Sequence, residues 1–276
     1  MDCPVEDGSQ QFKPLGTLGR QPWAFALPVM SGSAFIVLIV IVHAMALSSG
    51  KMSHEVGGNR VTVAVPEISS SAARSPESWI WTCGVLLTFI FLQCPSLLLI
   101  SEVLRCQRFG GRWVAVRLAK LLLVVGSIAL VGLAVVTTRG TVLEEEVKVP
   151  DGAAVHQAFM LIFFFCSFSH VSIVVFLQVP CPCYGPQRRE AVLSPASRIV
   201  KATLFLLLIL SASQAVPMVA LLMCPASVCH PEVRGTNLRG LTQRSSVFWI
   251  ACFIASYSLD VRSLLRNSAS ETVPDS

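Results

Sequence analysis

Few residues in this chain could carry chemistry, and they are scattered. His156 opens an apolar run shortly after Asp151, and an imidazole oriented by a carboxylate acts as a general base near neutral pH. The alternative for His156 is an interfacial histidine at a helix start. Ser69, Ser70 and Ser71 offer hydroxyls without a Gly-x-Ser-x-Gly setting, so the expected role is a turn or helix cap. Cys224 and Cys229 would close a short disulfide loop or stay as two thiols. Cys106, Cys181 and Cys183 flank apolar runs and either carry an acyl chain or remain free, with Arg188 and Arg189 attracting anionic lipid beside them. No C-x-x-C pair or zinc-type spacing occurs, and the expectation is no metal. His43 and His170 lie inside apolar runs at depths that differ by about 12 to 15 Å at the helical rise, which rules out a shared axial haem site, and no cofactor is expected.

The elements that must position these residues follow from composition. Hydrophobic residues make up 53% of the chain and charged ones 13%, and apolar runs of about 20 residues recur, the length that crosses a bilayer. The reading is an all-α membrane protein with six transmembrane helices over about 25–47, 79–100, 117–137, 156–177, 199–223 and 246–260. They form one membrane domain over 23–262, preceded by a polar N-tail (1–22) and followed by a C-tail (263–276) read as disordered. Ala44-Met45-Ala46 resembles a signal-peptidase site, but the apolar stretch before it exceeds a signal peptide's core, and it is read as an anchor.

Within that frame, residues 48–78 are the first loop, with a Val61 to Val65 alternation able to form a short strand. Ser75-Pro76-Glu77 reads as a helix start, with Ser75 as cap, Pro76 first and Glu77 at the positive helix end. Gln93 with Pro95, and Ser211 to Pro217, predict a kink or packing seam in the second and fifth spans.

Six spans put both termini on one side. With the termini cytoplasmic, that side carries 13 Lys and Arg against 8 on the other, while acidic residues divide equally, so the first loop is lumenal. The net charge of +5 sits beside apolar runs and forms no aromatic-interleaved patch, so no nucleic acid is expected. Arg105, Arg108, Arg112, Arg188 and Arg189 are the candidate contacts for membrane lipids and for membrane-protein or cytosolic partners. A channel would need a ring of charge inside the membrane, and Lys120 and Asp260 are read as lying only at span ends.

Three separated places resemble the Frag/DRAM/Sfk family. The first loop carries Pro66-x-Ile68-Ser69 and then Pro76-Glu77, with Ser71-Ala72-Ala73-Arg74 where the family usually has a glycine. His156 opens the fourth span ahead of a Phe-rich run, and Tyr257 with Asp260 looks like the family's aromatic-then-acidic exit from the sixth. The resemblance covers residues 23 to about 265. It implies a modulator of autophagy, membrane trafficking or lipid-kinase recruitment in endolysosomal, Golgi or plasma membranes, and the absence of a convincing nucleophile favours a non-enzymatic one. The alternative it implies is a factor in GPI-anchor lipid remodelling, with His156 and an acid such as Asp151 or Glu77 near the lipid.

Overall fold

Apolar runs of this length fold as helices in a bilayer because their backbone groups find no water to bond. The computed structural model describes residues 21, 23–50, 52–56, 59–65, 67–72, 75–106, 113–136, 151–178, 195–222 and 231–270. Among them, six helices are long and apolar enough to cross a membrane. α1 (Ala26–Ser48) leads to a short antiparallel hairpin, β1 (Ser53–Val56) with β2 (Asn59–Thr62), and then to one helical turn, α2 (Ile68–Ser71). α3 (Glu77–Thr88) and α4 (Cys94–Cys106) form one 30-residue span, followed by α5 (Trp113–Val135) and α6 (Asp151–Gln178). α7 (Pro195–Ala212), the short α8 (Ala215–Leu222) and the 40-residue α9 (Pro231–Ser270) complete the bundle.

The helices alternate in direction. Thr82 near the start of α3 bonds the Ala134 carbonyl near the end of α5, and the guanidinium of Arg262 late in α9 lies over the Phe25 ring ahead of α1. The first loop and the starts of α3, α6 and α9 therefore share one end of the bundle, called here the hairpin end. The beginning of α1 and the later part of α9 share the other.

Proline explains two irregularities. Pro95 has no N–H, and its ring would clash with the carbonyl four residues back. Residues Phe89–Gln93 absorb this as a single wide π turn, in which the Cys94 N–H reaches the Phe89 carbonyl and α3 passes into α4 without a break. Pro217 has the same effect further on: the fifth span stops at Ser213 and Gln214, where Gln214 takes φ 65°, and α8 starts afresh. Both lie where the sequence predicts a kink or seam.

Elsewhere the helices differ from the apolar runs. Pro76 caps α3 through its backbone and Glu77 is the first helical residue, one place later than expected, because the Pro76 carbonyl itself accepts the first N–H groups, from Trp79 and Ile80. The strand lies at Asn59–Thr62, pairing His54 with Val61 and Glu55 with Arg60, with the Val63 N–H extending the ladder to the Met52 carbonyl. The largest difference is α9. At about 1.5 Å per residue its 40 residues span roughly 60 Å, about twice a bilayer's apolar thickness, so the run at 246–260 is only its middle.

Close packing needs small residues where backbones approach, since lipid supplies no hydrophobic drive between helices. At Gly32 on α1 a β-carbon would stand 2.8 Å from the Ala251 carbonyl oxygen of α9, so only glycine permits this crossing. The core gathers α1, α3, α4, α5, α6 and α9 around Phe35, Trp81, Leu99, Val174, Phe253 and Tyr257.

Candidate functional site

The polar start of α9 is helical because the first loop supplies it with partners. Asn237 Oδ1 accepts the Val65 N–H at 2.9 Å, and Gln243 Oε1 accepts the Ile68 N–H at 2.7 Å. Arg244 donates to Ser71 Oγ at 2.9 Å and to His43 Nδ1 at 3.1 Å, tying loop and α1 to α9 together. Loop backbone N–H groups buried against a helix need such acceptors, so these bonds close the loop down as a lid. The Arg239–Glu67 pair at 3.4 Å adds little, because Arg239 is 67% exposed.

Beneath the lid lies a cavity of about 40 Å³ whose walls include Phe35, Ile68, Trp81, Phe163, His156 and Gln243. His156 is 8% exposed, and its Nδ1 stands 2.6 Å from the Val136 carbonyl. A carbonyl only accepts, so Nδ1 carries a proton, and whenever the ring is neutral its lone pair lies on Nε2. Glu77, also buried, accepts a hydrogen bond from Ser49 Oγ at 3.4 Å at the end of α1.

A second cluster lies deeper, towards the opposite end. Lys201 on α7 is ion-paired with Asp260 on α9, both with fully buried side chains, and Ser197 Oγ donates to the same carboxylate at 2.5 Å. The Lys201 ammonium also sits 4.1 Å from the centre of the Tyr257 ring. The Tyr257 hydroxyl donates to His170 Nε2 at 3.1 Å, and His170 Nδ1–H donates to the Ala119 carbonyl at 2.8 Å. One connected set of groups thus joins α5, α6, α7 and α9. His170 lines a second cavity of about 40 Å³ with Gln93, Ser127 and Ser167, where Gln93 Nε2 donates to Ser127 Oγ at 3.0 Å. Phe163 borders both cavities.

The sequence-derived candidates fall out as follows. Ile68 and Ser71 are in the lid, Ser69 lies in α2, and Pro76 caps α3. Asp151 begins α6 five positions before His156. Cys106 is 6% exposed and packed in the core, and Arg105 beside it is exposed. Tyr257 and Asp260 are fully buried, and α9 continues past them to Ser270, so they are interior residues and do not mark the helix exit. Pro66, Arg108, Arg112, Cys181, Cys183, Arg188, Arg189, Cys224 and Cys229 lie outside the described residues. Among the described residues no three or more His, Cys, Asp and Glu side chains group as metal ligands.

Sequence reasoning missed Lys201, which it counted as a topological charge, and it missed Gln243 and Arg244, which fell in a presumed loop. The sequence carried no signal for Lys201, which stands two residues inside the apolar run at 199–223; only the start of α7 at Pro195 places it six residues into a helix.

No curated protein and no solved structure matches this chain. A family description does, that of the Frag1/DRAM/Sfk1/Cwh43P N-terminal domain, over residues 23–264, which takes in five membrane-length helices and most of the sixth, the lid and both buried clusters. The chain is a multi-pass membrane protein that belongs to the Frag1/DRAM/Sfk1/Cwh43P family.

Proposed function

We propose that this protein works without catalysis, modulating autophagy, membrane trafficking or lipid-kinase recruitment through protein and lipid contacts. The observation that carries this reading is the state of the two interior cavities. Nucleophilic or acid–base chemistry requires a base within hydrogen-bond reach of a hydroxyl, thiol or carboxylate. His170 shares its cavity with Ser127 and Ser167, but both its nitrogens are already bonded, to Tyr257 and to the Ala119 carbonyl. His156 keeps one nitrogen, yet among the described residues no hydroxyl, thiol or carboxylate lines the cavity with it. Charged groups inside the bundle are instead fastened helix to helix, which suits a framework that presents its ends to partners.

In this reading the termini and the exposed Arg105 face the cytosol and the lid faces the lumen, as the distribution of basic residues favours. A tag at Ser70 is then protected from cytosolic protease in sealed vesicles. Membrane partners should co-purify with His156→Ala and be lost when Arg105, Arg108 and Arg112 are replaced together by alanine. The reverse pattern would overturn the proposal.

A second reading, participation in GPI-anchor lipid remodelling, is favoured by one feature: an imidazole with a spare lone pair beside apolar walls under the lid. Normal surface GPI-anchored proteins with normal anchor acyl chains in cells lacking this protein would eliminate it.

A further inference from the structure

We propose that His43, Arg244 and Ser71 form a latch that a proton opens: protonation of the His43 imidazole removes the acceptor that Arg244 binds and loosens the lid from α9. The roles in the latch follow from the donors and acceptors present. A guanidinium has N–H donors and no acceptor, so in the 3.1 Å contact with Arg244 the His43 Nδ1 supplies a lone pair, and the closed lid requires a ring unprotonated at that atom. The same guanidinium nitrogen donates to Ser71 Oγ at 2.9 Å, and Ser71 is the last residue of α2, so one cation joins α1, the lid and α9. The Ala64 carbonyl of the lid also lies within reach of the ring, an acceptor that suits the remaining N–H. An imidazolium has only donors. On taking a proton His43 can still serve the carbonyl, but it loses the bond from Arg244 and sets a second positive charge against the first.

The ionisable groups nearby are few. Of the elements packed on α1, α9 faces His43 with Arg244, and α2 carries no ionisable side chain. Glu67, just ahead of α2, is turned to the exposed Arg239. α3 brings Glu77, which Ser49 binds six positions beyond His43, about 9 Å along the helix. The π turn has no ionisable group, and Glu102 and Arg105 of α4 belong to the opposite end of the bundle. His156, the other imidazole under the lid, sits on α6 and bonds the Val136 carbonyl instead. A histidine in water binds a proton near pH 6.5, so a lid that closes only on the unprotonated ring closes up to tenfold less favourably for each pH unit below that value. Closure is then fullest near neutrality and is lost as pH falls. In the orientation proposed above the lid meets the lumen, and the latch couples its closure to lumenal acidity.

The latch goes beyond partner recruitment, and its test reads lid closure alone. Hydrogen exchange of the full-length protein in detergent is measured at pH 7.5 and pH 4.5, with each rate referred to that of an unprotected amide at the same pH, so that the direct effect of acid on exchange drops out. The amides of Val65, Ile68 and Ala72, all bonded in the closed lid, should lose about a hundredfold in protection over this interval, since two of its pH units lie below 6.5, while those of α5 keep theirs. His43→Gln presents an acceptor and a donor without a titratable group and should hold the lid closed at both pH values; His43→Lys, a fixed cation, should leave it open at both. Nitrogen NMR of the parent labelled in its histidines needs no variant and decides the matter if either one fails to fold: His43 Nδ1 should be unprotonated at pH 7.5 and gain its proton in step with the loss of lid protection. Lid protection unchanged at pH 4.5, an equal loss in His43→Gln, or a Nδ1 already protonated at pH 7.5 would overturn the proposal.

Discussion

Replacing Lys201 by methionine keeps most of the side chain's length and removes its charge, leaving Asp260 as a carboxylate with no exposed surface. Its remaining described bond is the one from Ser197, which cannot neutralise it. Breaking a buried pair from one side costs about 3 to 5 kcal/mol, because the surviving charge keeps its desolvation penalty and loses its compensation. Asp260→Leu creates the complementary problem: the Lys201 ammonium keeps the Tyr257 ring face, worth about 2 kcal/mol in a desolvated site, and loses its counter-ion. The double variant Lys201→Met, Asp260→Leu removes both charges and leaves apolar groups of similar volume, a change that is neutral or even stabilising elsewhere. The three variants and the parent therefore form a cycle in which the singles are much worse than the double, with a coupling energy on the order of 3 kcal/mol or more. Equilibrium unfolding in mixed detergent micelles, followed by tryptophan fluorescence, measures all four. Single variants that each cost under about 1 kcal/mol, with a double equal to their sum, would refute the claim that this pair is buried and coupled.

Three smaller effects follow from the same coordinates. Gly32→Ala should cost about 1 to 3 kcal/mol in the same assay, since the new β-carbon meets the Ala251 backbone oxygen and α1 and α9 must move apart; Gly235→Ala, where nothing lies within 4 Å, should cost nothing. Tyr257→Phe removes the bond to His170 and keeps the ring over Lys201, so its loss of about 0.5 to 1.5 kcal/mol should be well below that of Lys201→Met. Gln214→Gly should raise the unfolding midpoint modestly, by about 1 kcal/mol at most, because φ 65° costs roughly 1 to 2 kcal/mol for a residue with a β-carbon and nearly nothing for glycine, which in turn loses more chain entropy.

By itself the sequence determined the class of the protein, its number of spans and where two of them are interrupted. The reason is solvent: in hydrocarbon a backbone has few alternatives to a helix, so apolar length translates almost directly into architecture. Pro95 and Pro217 act on their own helices through a missing N–H, a local cause visible without any partner. The first loop was legible as a family mark at Ile68 and Pro76 and as a lid entering the second span, but the bonds that fasten it were not, because its acceptors Asn237 and Gln243 stand more than 170 residues away in sequence.

Only the tertiary structure decided the rest. Hydropathy reports which residues face lipid, not which are helical, so the polar beginning of α9 looked like loop until the lid provided partners for it. Lys201 and Asp260, 59 residues apart, each looked like a charge near the end of an apolar run; the packing of α7 on α9 made them a buried pair and drew Tyr257 and His170 into one network. Likewise His156 carries the same atoms in either context, and the Val136 carbonyl, reached only in the folded bundle, decides which of its nitrogens remains to act.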